Sequence, residues 1–264
     1  MNNRLARVRA KLSEDVLVVD PDAGVLRFRA VKSAITAALI AGEWKSGEAI
    51  PDQARLAARC GVSIGTLRKA IDELVAEKIL IRRQGLGTFV AAHGPARNRF
   101  HFFHIVDADG GRELPRPELL RFARARADAQ QAQQLGIERG AGVFVVTNLL
   151  RLAGEPVVHD TIVVAAARFP DLTEHRFRTR DSTIYSLYQT RYGINVVRAN
   201  ERLRAAAADR AAAAVLRLRA GAPILEIFRV AYTYNDVAVE LRHSKVNTAS
   251  RFYEAERGKS EDNR

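Results

Sequence analysis

The chain has a single cysteine, Cys60, among 264 residues. One thiol can neither close a disulfide within the chain nor build a thiolate metal cage, so stability must come from packing. No run approaches the roughly 18 consecutive apolar residues that a membrane-spanning helix needs. Nor is Met1-Asn2-Asn3-Arg4 followed by the apolar segment of a secretion signal. These absences predict a cytoplasmic protein without a membrane partner. Common catalytic motifs are missing as well. There is no Gly-x-Ser-x-Gly, no His-Glu-x-x-His and no Walker loop, and Gly85-x-Gly87 does not precede a helical pattern. His101 and His104 lie three apart in a strand-like run, which would turn them to opposite faces and away from a shared metal ion. Neither a metal nor a cofactor is expected, and no enzymatic activity.

What is present is enough apolar material for a core: 47% of residues are hydrophobic and 27% charged, a balance foreign to disordered chains. The net charge of +12 favours attraction to polyanions and is silent about fold. The length allows one large domain or two modest ones, and punctuation in the sequence favours two. An extension covers residues 1–24, followed by a first domain over 25–92. His93-Gly94-Pro95-Ala96-Arg97-Asn98-Arg99 breaks every period and reads as a linker over 93–99. A second domain follows over 100–254, and 255–264 is a polar tail.

In the first domain, Val31, Ala34, Ile35, Ala38 and Leu39 recur at helical spacing and stop at Ala41-Gly42. Pro51 can open a second helix that runs to Cys60 and ends in the Gly61-Val62 turn. Ser63 is an N-cap for a third, whose stripe Leu67, Ala70, Ile71, Leu74 and Val75 reaches Lys78. Two short β-rich runs around Gln84-Gly85-Leu86-Gly87 complete a hairpin. Helix, helix, tight turn, helix, hairpin is the order of a winged helix-turn-helix, with the helix from Ser63 placed to enter a major groove. The basic residues Arg55, Arg59, Arg68, Lys69, Lys78, Arg82 and Arg83 outnumber Asp72, Glu73 and Glu77 on that unit.

The second domain reads as α+β and mainly antiparallel. Strands are predicted at 99–106, 143–152, 157–165, 196–206, 223–235 and 237–246, and helices at 118–135, 182–192 and 208–218. Asn235-Asp236 and Ala153-Gly154-Glu155-Pro156 are hairpin-turn signals between apolar runs.

Four stretches resemble the DNA-binding domain of GntR-family bacterial transcription regulators: Trp44 to Pro51, Leu56 to Ser63, Thr66 to Ile71, and Gly85 to Val90. Their order and spacing over about 50 residues make the match specific. Arg151-Leu152-Ala153-Gly154-Glu155-Pro156-Val157, the stretch from Ser182 to Gly193, and Gly221-Ala222-Pro223-Ile224-Leu225 resemble the UTRA effector-binding domain of the HutC-type branch. That domain has a chorismate-lyase-like fold. The resemblance implies a homodimeric repressor, dimerised through the second domain, that leaves a pseudo-palindromic double-stranded operator when a small anionic effector binds.

For DNA contact, Ser63, Gly65 and Thr66 stand at a helix N-terminus able to hold a phosphate. Arg68 can fork onto guanine O6 and N7. Lys69 suits the backbone, Arg55 stands beside Ala54 as a substitute for the arginine usual there, turned about 100° around the helix, and Arg83, Gly85 and Gly87 belong to the wing. Ile64 and Ala54 depart from arginines usual in the family. For the effector, the resemblance indicates Arg151, Asp160, Ser182, Thr183, Glu240 and His243, with Lys245 on the same strand face as His243. Two alternatives remain open from sequence: a lyase-like enzyme on the same fold, and sequence-independent nucleoid binding driven by charge.

Overall fold

The computed structural model describes residues 17, 27–77, 79–91, 102–180 and 183–255. The chain forms two compact units, residues 1–92 and 93–264, and each is described by itself.

The first unit begins with α1 (Arg27–Ile40), whose buried face carries Phe28, Val31, Ala34, Ile35, Ala38 and Leu39. Gly42, at φ +79°, takes the chain out of it. The second helix, α2 (Gln53–Cys60), is capped by Asp52, whose carboxylate accepts from the Arg55 N–H at 2.9 Å. The cap therefore falls one residue after Pro51, which ends the preceding turn. Gly61 closes α2 in the left-handed region at φ +63° and lets the chain re-enter a helix at once. Next, α3 (Ile64–Ala76) is capped by the Ser63 hydroxyl, which accepts from the Thr66 N–H at 3.2 Å. Leu67, Ala70, Ile71 and Leu74 bury its inner face. Strands β1 (Leu80–Arg83) and β2 (Gly87–Val90) pair antiparallel as the wing. Cys60 is buried, with an exposure of 6%.

The second unit is built on one six-stranded antiparallel sheet. Its members are β4 (Arg116–Arg126), β5 (Gly142–Leu152), β6 (Glu155–Ala165), β7 (Arg198–Ala207), β8 (Pro223–Tyr232) and β9 (Ala238–Val246), in the order β4-β5-β6-β9-β8-β7. A separate pair joins β3 (Ile105–Val106) to β10 (Phe252–Tyr253). Helices are α4 (Ala129–Leu135), α5 (Glu174–Arg178), α6 (Ile184–Tyr192) and α7 (Arg210–Leu216). Both hairpin signals hold. Ala153 and Gly154 take positive φ between β5 and β6, as do Asn235 and Asp236 between β8 and β9.

Two expectations are corrected. The helix predicted over 118–135 is an edge strand followed by a short helix. Leu119, Leu120, Phe122 and Ala123 mimic helical spacing, but β4 pairs with β5 from Arg116 to Arg126, with an irregularity between Leu119 and Arg121. Ladder hydrogen bonds available only in the folded chain override a local preference. The helix starts only at Asp128, which forms a reciprocal capping box with Gln131. The strand predicted over 99–106 contracts to Ile105–Val106; residues 99–101, His101 among them, lie outside the described residues.

One face of the sheet packs Val146, Ile162, Val164 and Ala231 against Phe169, Phe177, Tyr185 and Tyr188. Further along that face, Leu150, Val158, Ile227 and Val246 cluster with Ile105. The opposite face is covered by α4 over Val143, Val163 and Leu241, and near Ile224 by Ala208 and Ala213. No helix among the described residues is long and apolar enough to cross a membrane.

Candidate functional site

The exposed face of α3 carries Ile64, Gly65, Arg68 and Lys69, because the buried stripe occupies the other side. Ser63 is already engaged as cap, its Oγ 3.0 Å from the Thr66 Oγ1. Gly65 presents bare backbone, with nothing nearer to a hypothetical Cβ than the Ser63 Oγ at 3.9 Å. Arg68 is exposed and its Nε donates to the Gln53 Oε1 at 3.4 Å, which aims the guanidinium along the α2–α3 edge. Lys69 stands 4.3 Å above the Phe28 ring. In the wing, Arg83 stacks at 4.4 Å on Phe89, and Arg82 pairs with Asp72 of α3. Gly85 and Gly87, at φ +72° and +110°, form the tip around Leu86, which is 70% exposed. Arg55 is exposed on α2. The exposed parts of α2, α3 and the wing thus include a helix start, guanidinium groups and a glycine-bearing tip.

In the second unit a row of polar side chains crosses five strands on a single face, between the two apolar clusters. It runs from Asn148 on β5 to Asp160 on β6, then Ser244, Arg242 and Glu240 on β9, Arg229 on β8 and Glu201 on β7. The register places them so: Asn148 opposite Asp160, Asp160 opposite Ser244, Arg242 opposite Arg229, and Arg229 opposite Glu201. Glu240 is wholly buried, and accepts from the Tyr185 hydroxyl at 3.0 Å, the Tyr188 hydroxyl at 2.8 Å and the Arg242 Nε at 3.0 Å. Burial and the Glu240 charge push the Tyr185 pKa up to about 12 and that of Tyr188 well above its ordinary value, so both phenols stay protonated as donors. Burial works against the Arg242 charge, but Glu240, Tyr185 and Asp160 together outweigh it and raise its pKa. Ser244 donates to Asp160 at 2.5 Å. Arg229 pairs with Glu201 at 2.5 Å and donates to the Phe102 carbonyl.

Asp160, Arg242, Ser244 and Arg229 form the polar side of a small pocket that is partly open to solvent. Phe102, Tyr253 and Ile227 supply apolar wall. One member of this row and one group near it have polar atoms that lack partners among the described residues. Asn148 has an exposure of 0%, yet neither its Oδ1 nor its Nδ2 is hydrogen-bonded. The Nε of Arg180 is buried without a partner. Burial lowers the Arg180 pKa to about 10, and the charge of Arg242 pushes in the same direction. Buried polar atoms without partners are rare enough to need a reason.

Of the effector candidates, Asp160 and Glu240 share this row. Ser182 lies outside the described residues, and Thr183 is exposed as the N-cap of α6, accepting from the Ser186 N–H at 3.2 Å. Arg151 lies apart from the row, paired with Glu118 at 3.1 Å. The clamp expected of His243 and Lys245 does not converge on the polar row, because strand alternation puts both on the other face of the sheet. His243 stacks at 4.3 Å on Phe228 and lies 3.1 Å from Glu226, while Lys245 is bound by Asp209. Both therefore already have a carboxylate neighbour.

Two domain models match the chain: the gntR family of bacterial regulatory proteins over residues 28–90, and the UTRA domain over residues 111–250. The chain belongs to the GntR family of bacterial transcription regulators and carries a UTRA domain. It is a DNA-binding regulator rather than an enzyme. This GntR protein is 28% identical over 216 residues to the "Probable fructoselysine utilization operon transcriptional repressor" of Escherichia coli K12, covering 82% of this chain and 88% of that one. Its second unit resembles the ligand-binding domain of a GntR-family regulator from Bordetella bronchiseptica, with 28% identity and a TM-score of 0.57, over 60% of this chain and 98% of that one. The "possible transcriptional regulator YydK" from Bacillus subtilis shares the fold at 15% identity and a TM-score of 0.52, over 88% of this chain and 100% of that one.

The face of the UTRA domain that bears His243 also holds His159, and it yields a prediction. Burial, aided by Lys245, lowers the His159 pKa. A group harder to protonate when folded contributes stability that is complete above its unfolded pKa of about 6.5 and is lost as pH falls through the lower folded value. His159→Gln is expected to lose less stability than the native protein between about pH 7 and pH 5 in urea unfolding. Equal losses would contradict this assignment.

Sequence reasoning missed Asn148, Arg180, Arg229 and Arg242 as members of the polar row and its surroundings. Arg242 had a signal, since it alternates with Glu240 and Ser244 along one strand. Asn148 and Arg180 had none, because what distinguishes them is a missing partner in the fold.

Proposed function

We propose that the protein is a homodimeric repressor in the cytoplasm, joined through its second domain, that holds a two-fold symmetric operator and releases it when a small anionic metabolite binds the UTRA domain beside its polar row. The observation that carries the effector class is Arg180. No carboxylate pairs with this guanidinium among the described residues, although burial and Arg242 both work against its charge. A ligand carboxylate or phosphate would supply the absent counter-charge. Asn148 would meet a hydroxyl or amide of the same ligand, since its side chain offers donors and an acceptor together. The relative named for fructoselysine utilization is consistent with a polar metabolite bearing a carboxylate and hydroxyl groups. Ser63, Gly65, Thr66, Arg68, Lys69, Arg55, Arg83, Gly85 and Gly87 are the proposed DNA contacts, Arg68 reading a base and the rest positioning the backbone.

Thermal shift of the full-length protein against a panel of sugar phosphates and amino-acid-derived carboxylates tests this reading. A ligand at about 100 times its Kd should stabilise the protein by about 2.7 kcal/mol. Arg180→Met is expected to keep or raise the stability of the free protein, because a half-buried guanidinium without a carboxylate partner among the described residues is removed, and to abolish the shift. A variant that still responds fully to the anionic ligand would overturn the assignment of Arg180.

A further inference from the structure

We infer that Ile64 reads the 5-methyl group of a thymine in the operator. The inference rests on α3 as the groove-entering helix and goes beyond that reading by naming a base. Ile64 is the first residue of α3 and is 47% exposed. Its helix buries Leu67, Ala70, Ile71 and Leu74, so folding places this branched apolar side chain on the outer face with Arg68 one turn further on. A single exposed aliphatic residue is ordinary on a protein surface. Ile64 differs in its setting, between the Ser63 cap and the guanidinium of Arg68, so a duplex that desolvates Arg68 desolvates Ile64 as well.

The C5 methyl of thymine is the one methyl group that the four bases present in the major groove, and it is the largest apolar feature there. An isoleucine side chain has neither donor nor acceptor. Facing guanine O6 and N7 it would strip water from two acceptors and return nothing, whereas against the methyl it buries apolar surface on both sides. Four helical residues advance about 6 Å along the axis, and successive bases on one strand lie about 3.4 Å apart. The thymine read by Ile64 therefore lies about two steps from the base read by Arg68.

The test uses the full-length protein and the duplex it enriches from a random pool. Each thymine is replaced in turn by deoxyuridine, which removes only the methyl. The expected result is one position per half-site where uracil weakens binding about fourfold, the value of one buried methyl group, and about sixteenfold when both half-sites are changed. That position should lie within about two steps of the base whose preference Arg68→Ala relaxes. Ile64→Ala should bind the thymine operator more weakly, lose its sensitivity to uracil and melt at the native temperature. Uracil tolerated throughout the half-site, or a full uracil penalty retained by Ile64→Ala, overturns the inference while leaving operator binding intact. Failure to enrich any sequence overturns the groove-helix reading itself, and the inference with it.

Discussion

Glu240→Ala is expected to destabilise the second unit by about 3–5 kcal/mol, the range for removing one partner from a buried ion pair. The carboxylate has no exposed surface and receives Tyr185, Tyr188 and Arg242 at once. Its loss leaves the Arg242 guanidinium with the Asp160 carboxylate alone, at 3.5 Å, and takes from two phenolic hydroxyls the carboxylate that accepts from them. Glutamine retains an acceptor of similar shape, so Glu240→Gln should cost less. The double variant Glu240→Leu with Arg242→Met should recover much of the loss, because an apolar pair needs no counter-charge. Urea unfolding of the full-length protein measures all three. A loss below about 1 kcal/mol for Glu240→Ala would show that the cluster does not hold the sheet to α6. The carboxylate that the family resemblance marks as an effector contact would on this account act by fixing Arg242 beside the pocket.

Arg68→Ala is expected to relax the preference at one operator base and to cost about 1–3 kcal/mol, roughly 5- to 150-fold in affinity. The Gln53 contact holds the exposed guanidinium at the α2–α3 edge. Lys69 leans over Phe28 and carries a point charge without a fork, so Lys69→Ala should weaken specific and random duplexes alike and lower the salt dependence by about one phosphate. Competition binding on the enriched operator and on scrambled DNA separates the two behaviours. Equal losses on both duplexes for Arg68→Ala would refute base reading by Arg68.

The winged unit was legible because its determinants are local. Ser63 caps α3, Gly61 forces the turn before it, and the stripe from Leu67 to Leu74 follows from spacing alone. The same holds for the hairpins at Ala153-Gly154 and Asn235-Asp236, where the turn chemistry lies in adjacent residues. It failed at Arg116–Arg126, where the deciding interaction is pairing with β5. The effector candidates fall on two faces for a related reason. Strand period correctly separated His243 and Lys245 from Arg242, but it could not say which face meets α6 and the Phe102 segment. Only assembly of the sheet does that, and it turns Asp160, Glu240 and Arg242 inward while His243 is left against Glu226.

The central claim is that ligand binding to the UTRA domain and operator binding oppose each other through one protein. The most direct measurement is the affinity of the full-length protein for its enriched operator, with and without a saturating anionic ligand found by thermal shift, together with the affinity for that ligand with and without operator. The account predicts that each weakens the other by the same factor, about 5- to 150-fold, and that Arg180→Met removes the effect of the ligand. A ligand that binds the UTRA domain while operator affinity stays unchanged would contradict it.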